Sequence, residues 1–129
     1  MNFCIKVQVD CDDHLYLFVW EHRYGKLELM YVVQLSELHP ASELPFSLDQ
    51  IKQQVEDRTG KKYEIFRGIN YKTPLTEREG AATYFIKVQV GEGIEGYLIL
   101  RVGHGPNSKP TLNHLLKKKK LNSPIEYFE

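Results

Sequence analysis

Nothing in this chain approaches the roughly 20 consecutive apolar residues that span a bilayer. Its opening, Met-Asn-Phe-Cys-Ile-Lys-Val, alternates with polar residues instead of forming the apolar run of a signal peptide. No charge excess exists either: Lys plus Arg (17) balance Asp plus Glu (17), so no whole-chain field draws the protein to nucleic acid or to an anionic membrane. Cysteine is scarce. Cys4 and Cys11 form no Cys-x-x-Cys and no Cys/His ligand spacing, which predicts two reduced thiols in the cytoplasm, no metal and no cofactor. The five histidines (His14, His22, His39, His104 and His114) lie on separate elements with no Ser or Cys motif around them, so catalysis is not expected. A phosphate-binding glycine loop is also missing, since Gly91, Gly93 and Gly96 lead into a strand and not a helix. At 129 residues, the chain has room for one full domain with a core and not for two.

What is present is mostly β. Tyr84-Phe85-Ile86-Lys87-Val88-Gln89-Val90-Gly91 alternates, with Tyr84, Ile86, Val88 and Val90 on one face, and predicts a half-buried antiparallel strand. Gly91-Glu92-Gly93 breaks it, and Tyr97–Val102 makes a hairpin with it. Ile-Lys-Val-Gln-Val occurs twice, at 5–9 and 86–90, and at the same offset Tyr16-Leu17 falls on Tyr97-Leu98. This is an internal partial repeat. Residues 3–9 and 15–20 therefore predict a second hairpin, whose strand Leu15–Trp20 is apolar on both faces. Such a strand is covered twice or awaits a partner.

One good helix is expected, from about Leu48 to Thr59. Ser47-Leu48-Asp49-Gln50 fits a capping box, Leu48, Ile51 and Val55 line one stripe, and Gly60 is the stop. A strand over Lys62–Thr73 follows, with Gly68 marking a bulge or bend. After the loop Pro74–Ala82 and the hairpin comes a second loop at His104–Ser108, then a strand Thr111–Leu116. Lys117–Lys120 reads as a solvated edge and Ile125, Tyr127 and Phe128 as a tail that packs back. One helix buries one stripe, so the sheet must wrap across it: an α+β fold with a curved antiparallel sheet around a single helix, plus an extra N-terminal β-hairpin.

From about Met30 to Glu129 the chain resembles the stefins, the cytosolic branch of the cystatin inhibitors of papain-like cysteine proteases. The resemblance is carried by Leu35-Ser36-Glu37 with Pro40-Ala41, by Gln54-Val55-Glu56 through Gly60-Lys61-Lys62-Tyr63, and by Asn70-Tyr71-Lys72-Thr73. It continues in Tyr84–Gly91, Lys109-Pro110-Thr111-Leu112 and Glu126-Tyr127-Phe128. It implies a cystatin-like fold over residues 30–129, with residues 1–29 as a partial repeat of the C-terminal half. It also implies a three-part wedge that occludes a protease cleft. The first hairpin loop would be Pro74, Leu75, Thr76, Glu77, Arg78, Glu79, Gly80 and Ala81; the second Gly103, His104, Gly105, Pro106 and Asn107; the trunk Val33, Gln34, Leu35 and Ser36.

The family's loop reads Gln-Val-Val-Ala-Gly and its trunk carries a glycine, whereas this first loop is longer and charged and Val33-Gln34 stands at the trunk. Two readings follow: a reversible inhibitor of papain-like proteases such as cathepsins, or a non-inhibitory interaction module on the same fold. No nucleic-acid or membrane partner is expected. Residues 3–20 are expected either to extend the main sheet or to displace 84–102 in a second molecule, giving a homodimer by strand exchange.

Overall fold

In the computed structural model, which describes residues 2–8, 14–22, 25–75, 82–105, 108–126 and 128, two antiparallel sheets and one α-helix form. The first sheet is a meander of β1 (Asn2–Gln8), β2 (His14–Glu21) and β3 (Leu27–Gln34). The second has five strands in sequence order: β4 (His39–Pro40), β5 (Arg67–Lys72), β6 (Ala82–Gln89), β7 (Tyr97–His104) and β8 (Thr111–Lys119). The helix α1 (Asp49–Thr59) lies between β4 and β5 in the chain. This is the expected α+β architecture. No helix among the described residues is long and apolar enough to cross a membrane.

Helix α1 forms where the apolar stripe predicts. Ile51 and Val55 are fully buried against Ile86, Val88, Leu100 and Val102 of the sheet. Gly60 ends the helix in the left-handed region (φ 73°), which a residue without Cβ enters at little cost, and its N–H donates to the Glu56 carbonyl. The predicted capping box is only half made: the Ser47 hydroxyl accepts the Asp49 N–H at 3.3 Å, while Gln50 does not reach back. Two side chains stitch the helix to the start of β8. The Gln54 amide accepts from Leu112 N at 2.9 Å and donates to the Pro110 carbonyl at 3.0 Å, and Arg58 donates to the Leu112 and Asn113 carbonyls.

Several expectations change. The strand predicted from Lys62 begins at Arg67, because the preceding residues are tied to the helix: Tyr63 N donates to the Glu56 carboxylate at 2.8 Å and the Tyr63 hydroxyl to Thr59. The bulge at Gly68 is present, and a Cβ there would lie 2.4 Å from the Leu48 side chain, so the strand approaches the helix entry only through glycine. Strand β8 runs on to Lys119, taking in most of the basic run, with Lys118 at φ 56°. Trp20, expected to be covered, stays exposed beside His22.

The largest change concerns β6, which is covered on both faces. Phe85, Ile86, Lys87 and Val88 are consecutive buried residues. Ile86 and Val88 meet the helix, and Phe85 joins Tyr16, Val33, Leu35, Ile99 and Ile125 in a second core, with Phe18, Leu116 and Phe128 at its rim. The N-terminal hairpin therefore does not extend the five-stranded sheet. It pairs with β3, which follows after a short connection and closes at little entropic cost, and the inner face of this meander lies over the second face of the main sheet. The position 29/30, where a division was expected, falls inside β3. The tail packs back as predicted, with Phe128 edge-on to Phe85 at 5.3 Å and Glu126 paired with Lys6. Lys87 is only 4% exposed, and its ammonium donates to the Leu121 and Ser123 carbonyls, fastening the tail.

Two expected outcomes test this packing. Val55→Asp places an unpaired carboxylate in the core, at a cost of several kcal/mol out of a total stability of about 5–15 kcal/mol. The variant should show no cooperative melt; a melting point within a few degrees of wild type would remove the helix from the core. The second concerns Lys87, whose pKa is lowered from 10.5 by burial and then by Lys72. The folded state thus loses this proton before the unfolded state does, so the contribution of Lys87 to stability rises as pH climbs through the folded pKa toward 10.5. Melting curves of wild type and Lys87→Met across alkaline pH should diverge in favour of wild type, and a constant difference would show that the ammonium is solvated.

Candidate functional site

Register decides where the predicted segments lie. Ala82 pairs with His104 and Thr83 with Gly103, so the loop before β6 and the loop after β7 leave the same end of the five-stranded sheet. Leu35 bridges Pro74, which brings the trunk segment to the root of the first loop at that same end. The described ends of the three segments picked out in the sequence thus meet at one end of the sheet. Thr76, Glu77, Arg78, Glu79, Gly80 and Ala81 of the first loop, and Pro106 and Asn107 of the second, lie outside the described residues.

The root of the first loop is held by a serine. Ser36 N donates to the Thr73 carbonyl at 2.6 Å, the Ser36 hydroxyl accepts the Thr73 N–H at 3.0 Å, and Leu75 N donates to the Gln34 carbonyl at 2.8 Å. The hydroxyl also donates to the Glu37 carbonyl at 2.9 Å. The trunk is therefore fixed and covered: Val33, Leu35 and Ser36 are only 9%, 7% and 7% exposed, with Leu35 packed in the second core. Leu75 and Leu38, by contrast, stand open to solvent.

In the second loop Gly103 lies against Asn113, where a Cβ would sit 3.2 Å from the amide nitrogen. Gly105 N donates to the Ser108 hydroxyl at 3.2 Å, closing the turn. Under both loops runs a chain of rings. His104 lies 5.1 Å from Phe46, Phe46 lies 5.4 Å from Tyr84, Tyr84 lies 5.7 Å from Tyr71, and Tyr71 stacks on His39 at 5.4 Å. Ring contacts of this kind add about 0.5–1.5 kcal/mol each beyond their burial, so the loops spring from a stiff base. Burial raises the Tyr71 pKa, with the Glu43 charge adding to it, so this phenol stays neutral.

Sequence reading missed Phe46, although an apolar residue just ahead of a helix that packs back on its first turn is a known entry signal. It also missed Gln54 and Arg58 as the ties that set the exit of the second loop; long polar side chains on a helix carry no mark of this role. Among the described residues no three His, Cys, Asp or Glu side chains gather as metal ligands.

No family model matches the chain. The chain is 32% identical over 95 residues to mouse stefin-2, covering 73% of this chain and 89% of that protein. It is 30% identical over 97 residues to human cystatin-B, covering 72% and 94%. Over 60 residues it is 42% identical to mouse cystatin-A, a match spanning 46% of this chain and 59% of that protein.

Ser36→Ala should test the clamp at the loop root. It leaves the partly buried Thr73 N–H without its acceptor, at a cost of about 1–3 kcal/mol. Hydrogen exchange at Thr73 and Leu75 should accelerate with the rest of the sheet unchanged; unaltered exchange would mean the hydroxyl holds nothing.

Proposed function

The chain belongs to the stefin branch of the cystatins, a family of cysteine-protease inhibitors and not enzymes, and from that premise we propose that it is a reversible inhibitor of papain-like cysteine proteases. It acts by occlusion. The end of the sheet carrying Pro74–Ala81 and Gly103–Asn107 enters the active-site cleft and excludes substrate without offering a bond for cleavage. The observation that supports this reading is that the roots of both loops and the trunk meet, through the Ala82–His104 register and the Leu35–Pro74 bridge. Exposed Leu75 is the natural apolar anchor, since burying a leucine side chain contributes about 1.5–3 kcal/mol. Glu77, Arg78 and Glu79 oppose deep entry, because a charge taken out of water unpaired costs several kcal/mol. We place the inhibitor in the cytoplasm, in keeping with its kinship, and read residues 30–129 as the stefin unit with 1–29 as an added partial repeat.

A second reading, a non-inhibitory interaction module, is favoured by one observation: Val33, Leu35 and Ser36 of the trunk are buried, Val33 at the end of β3 and Leu35 in the second core. Of the four trunk residues, Gln34 alone keeps a half-exposed side chain to lay along a protease cleft.

Titration of papain and a cathepsin with the full chain separates the two. The expected result is competitive inhibition that is weaker than for a stefin with a glycine trunk and a Gln-Val-Val-Ala-Gly loop, with the inhibitor recovered intact. Replacing Thr76–Ala81 by Gln-Val-Val-Ala-Gly should strengthen it at least tenfold, which is about 1.4 kcal/mol. Neither inhibition by the wild type nor gain in a folded loop variant would leave the second reading in place.

A further inference from the structure

Strand β8 is the outermost strand of the main sheet, and the fold ties down the two ends of its free edge. At its start Gln54 and Arg58 hold the backbone groups of Pro110, Leu112 and Asn113. Just past its end a turn holds itself: Lys120 N donates to the Ser123 hydroxyl at 2.9 Å, and Ser123 N donates to the Lys120 carbonyl at 3.0 Å. Between them, along His114–Lys119, no strand among the described residues pairs with the outer edge.

This stretch is basic. Lys117, Lys118 and Lys120 are exposed and Lys119 is half-buried, and among the described residues no carboxylate pairs with any of the four. Leu116 stands opposite Ile99 and Lys119 opposite Tyr97, so Lys117 and Lys118 share a bulge across from Leu98. Lys118 has φ 56°, a left-handed conformation that glycine fills readily and a residue with a Cβ adopts at a cost. A lysine in that place keeps the run of four cations unbroken. Local strain and the mutual repulsion of the lysines both burden the free molecule, and outliers of this kind gather at binding sites.

We propose that the outer edge of β8, from His114 to Lys119, docks an acidic, extended segment of another protein. Charge selects the sign of the partner, since the lysines lack carboxylates of their own. It also excludes a second copy of the edge, which would lay lysine on lysine. Shape selects an extended chain. The edge is one strand wide and about 20 Å long at a rise of about 3.3 Å per residue, so a strand-like segment lies along it. Main chain meets main chain up to the bulge, and carboxylates lie over the lysines beyond. The neighbours exclude broader anions. The pairing of Tyr97 with Lys119 sets the β6–β7 turn beside the basic run, and Glu92 and Glu95 in that turn are exposed. A nucleic-acid backbone or an anionic bilayer that covered the lysines would also meet these carboxylates, whereas a narrow segment passes them by. Tyr97 and Lys119 lie at the end of the sheet opposite Gly103 and Thr111, so the site leaves the loop end free and does not rest on the protease reading.

Fluorescence anisotropy on the full chain tests it, with a labelled peptide of about eight residues alternating Glu and Val, long enough to cover the edge. The expected result is saturable binding at low salt that weakens at least tenfold at about 1 M salt, where the screening length is about 3 Å. Lys117→Gln combined with Lys118→Gln should weaken it at least tenfold, while Lys26→Gln, in the exposed β2–β3 turn, should leave it unchanged. Both edge lysines are in solvent, so the double variant folds, and circular dichroism checks this. Amide exchange along His114–Leu116 should slow when the peptide binds. The proposal is overturned by an absence of saturable binding, by equal binding of a Gln–Val twin peptide, by indifference to the double variant, or by slowed exchange confined to other elements. Tighter binding of a single-stranded oligonucleotide or of phosphatidylserine vesicles would overturn it too, and would assign the lysines to a phosphate surface.

Discussion

A strand that must be buried on both faces governs this molecule. Phe85, Ile86, Lys87 and Val88 leave no side of β6 for water. A single amphipathic helix can dry one side of a sheet; it has no means of reaching the other. The second side needs its own cover, and the chain supplies it from both termini: Tyr16 and Phe18 from the N-terminal sheet, Ile125 and Phe128 from the tail. Lys6 and Glu126 join those two covers, and Lys87 binds the tail from beneath. The three layers follow from that one requirement.

Much of the first layer was legible. The helix was marked by its stripe and its glycine stop, the hairpins by alternation, and the bulge by Gly68, because each of these is a local rule satisfied by nearby residues. The second layer was not. In Tyr84–Val90 the polar members Lys87 and Gln89 imitate a solvent face, and nothing in the alternation says that Lys87 finds its acceptors on carbonyls 34 and 36 positions away. Strand β2 did carry the warning, being apolar on both sides, but whether such a strand joins a sheet edge or covers a sheet face is decided by packing between layers, which the period of two does not encode.

The candidate site divides in the same way. The meeting of the loop roots at one end of the sheet follows from hairpin register and was expected from the resemblance alone. Its stiffness was not, since the ring chain from His104 to His39 draws on residues from four separate stretches. The burial of Leu35 was hidden for a related reason: its cluster joins Tyr16, from ahead of the family's part of the chain, to Phe85, Ile99 and Ile125 far along it. The identical letters at a trunk position thus mean something different here. A segment that kinship describes as a flexible arm is a fixed strut between two sheets.

The β1–β2–β3 meander also orders events in time. Its pairings are local, so it can close while the chain is still being synthesised. Of the residues its inner face must meet, Phe85 is made some fifty positions after its last strand and Ile99 later still. Between those moments a sheet with apolar side chains on both faces is exposed on the ribosome. Such intermediates associate readily. For this chain the hazard of aggregation lies in the interval of its synthesis.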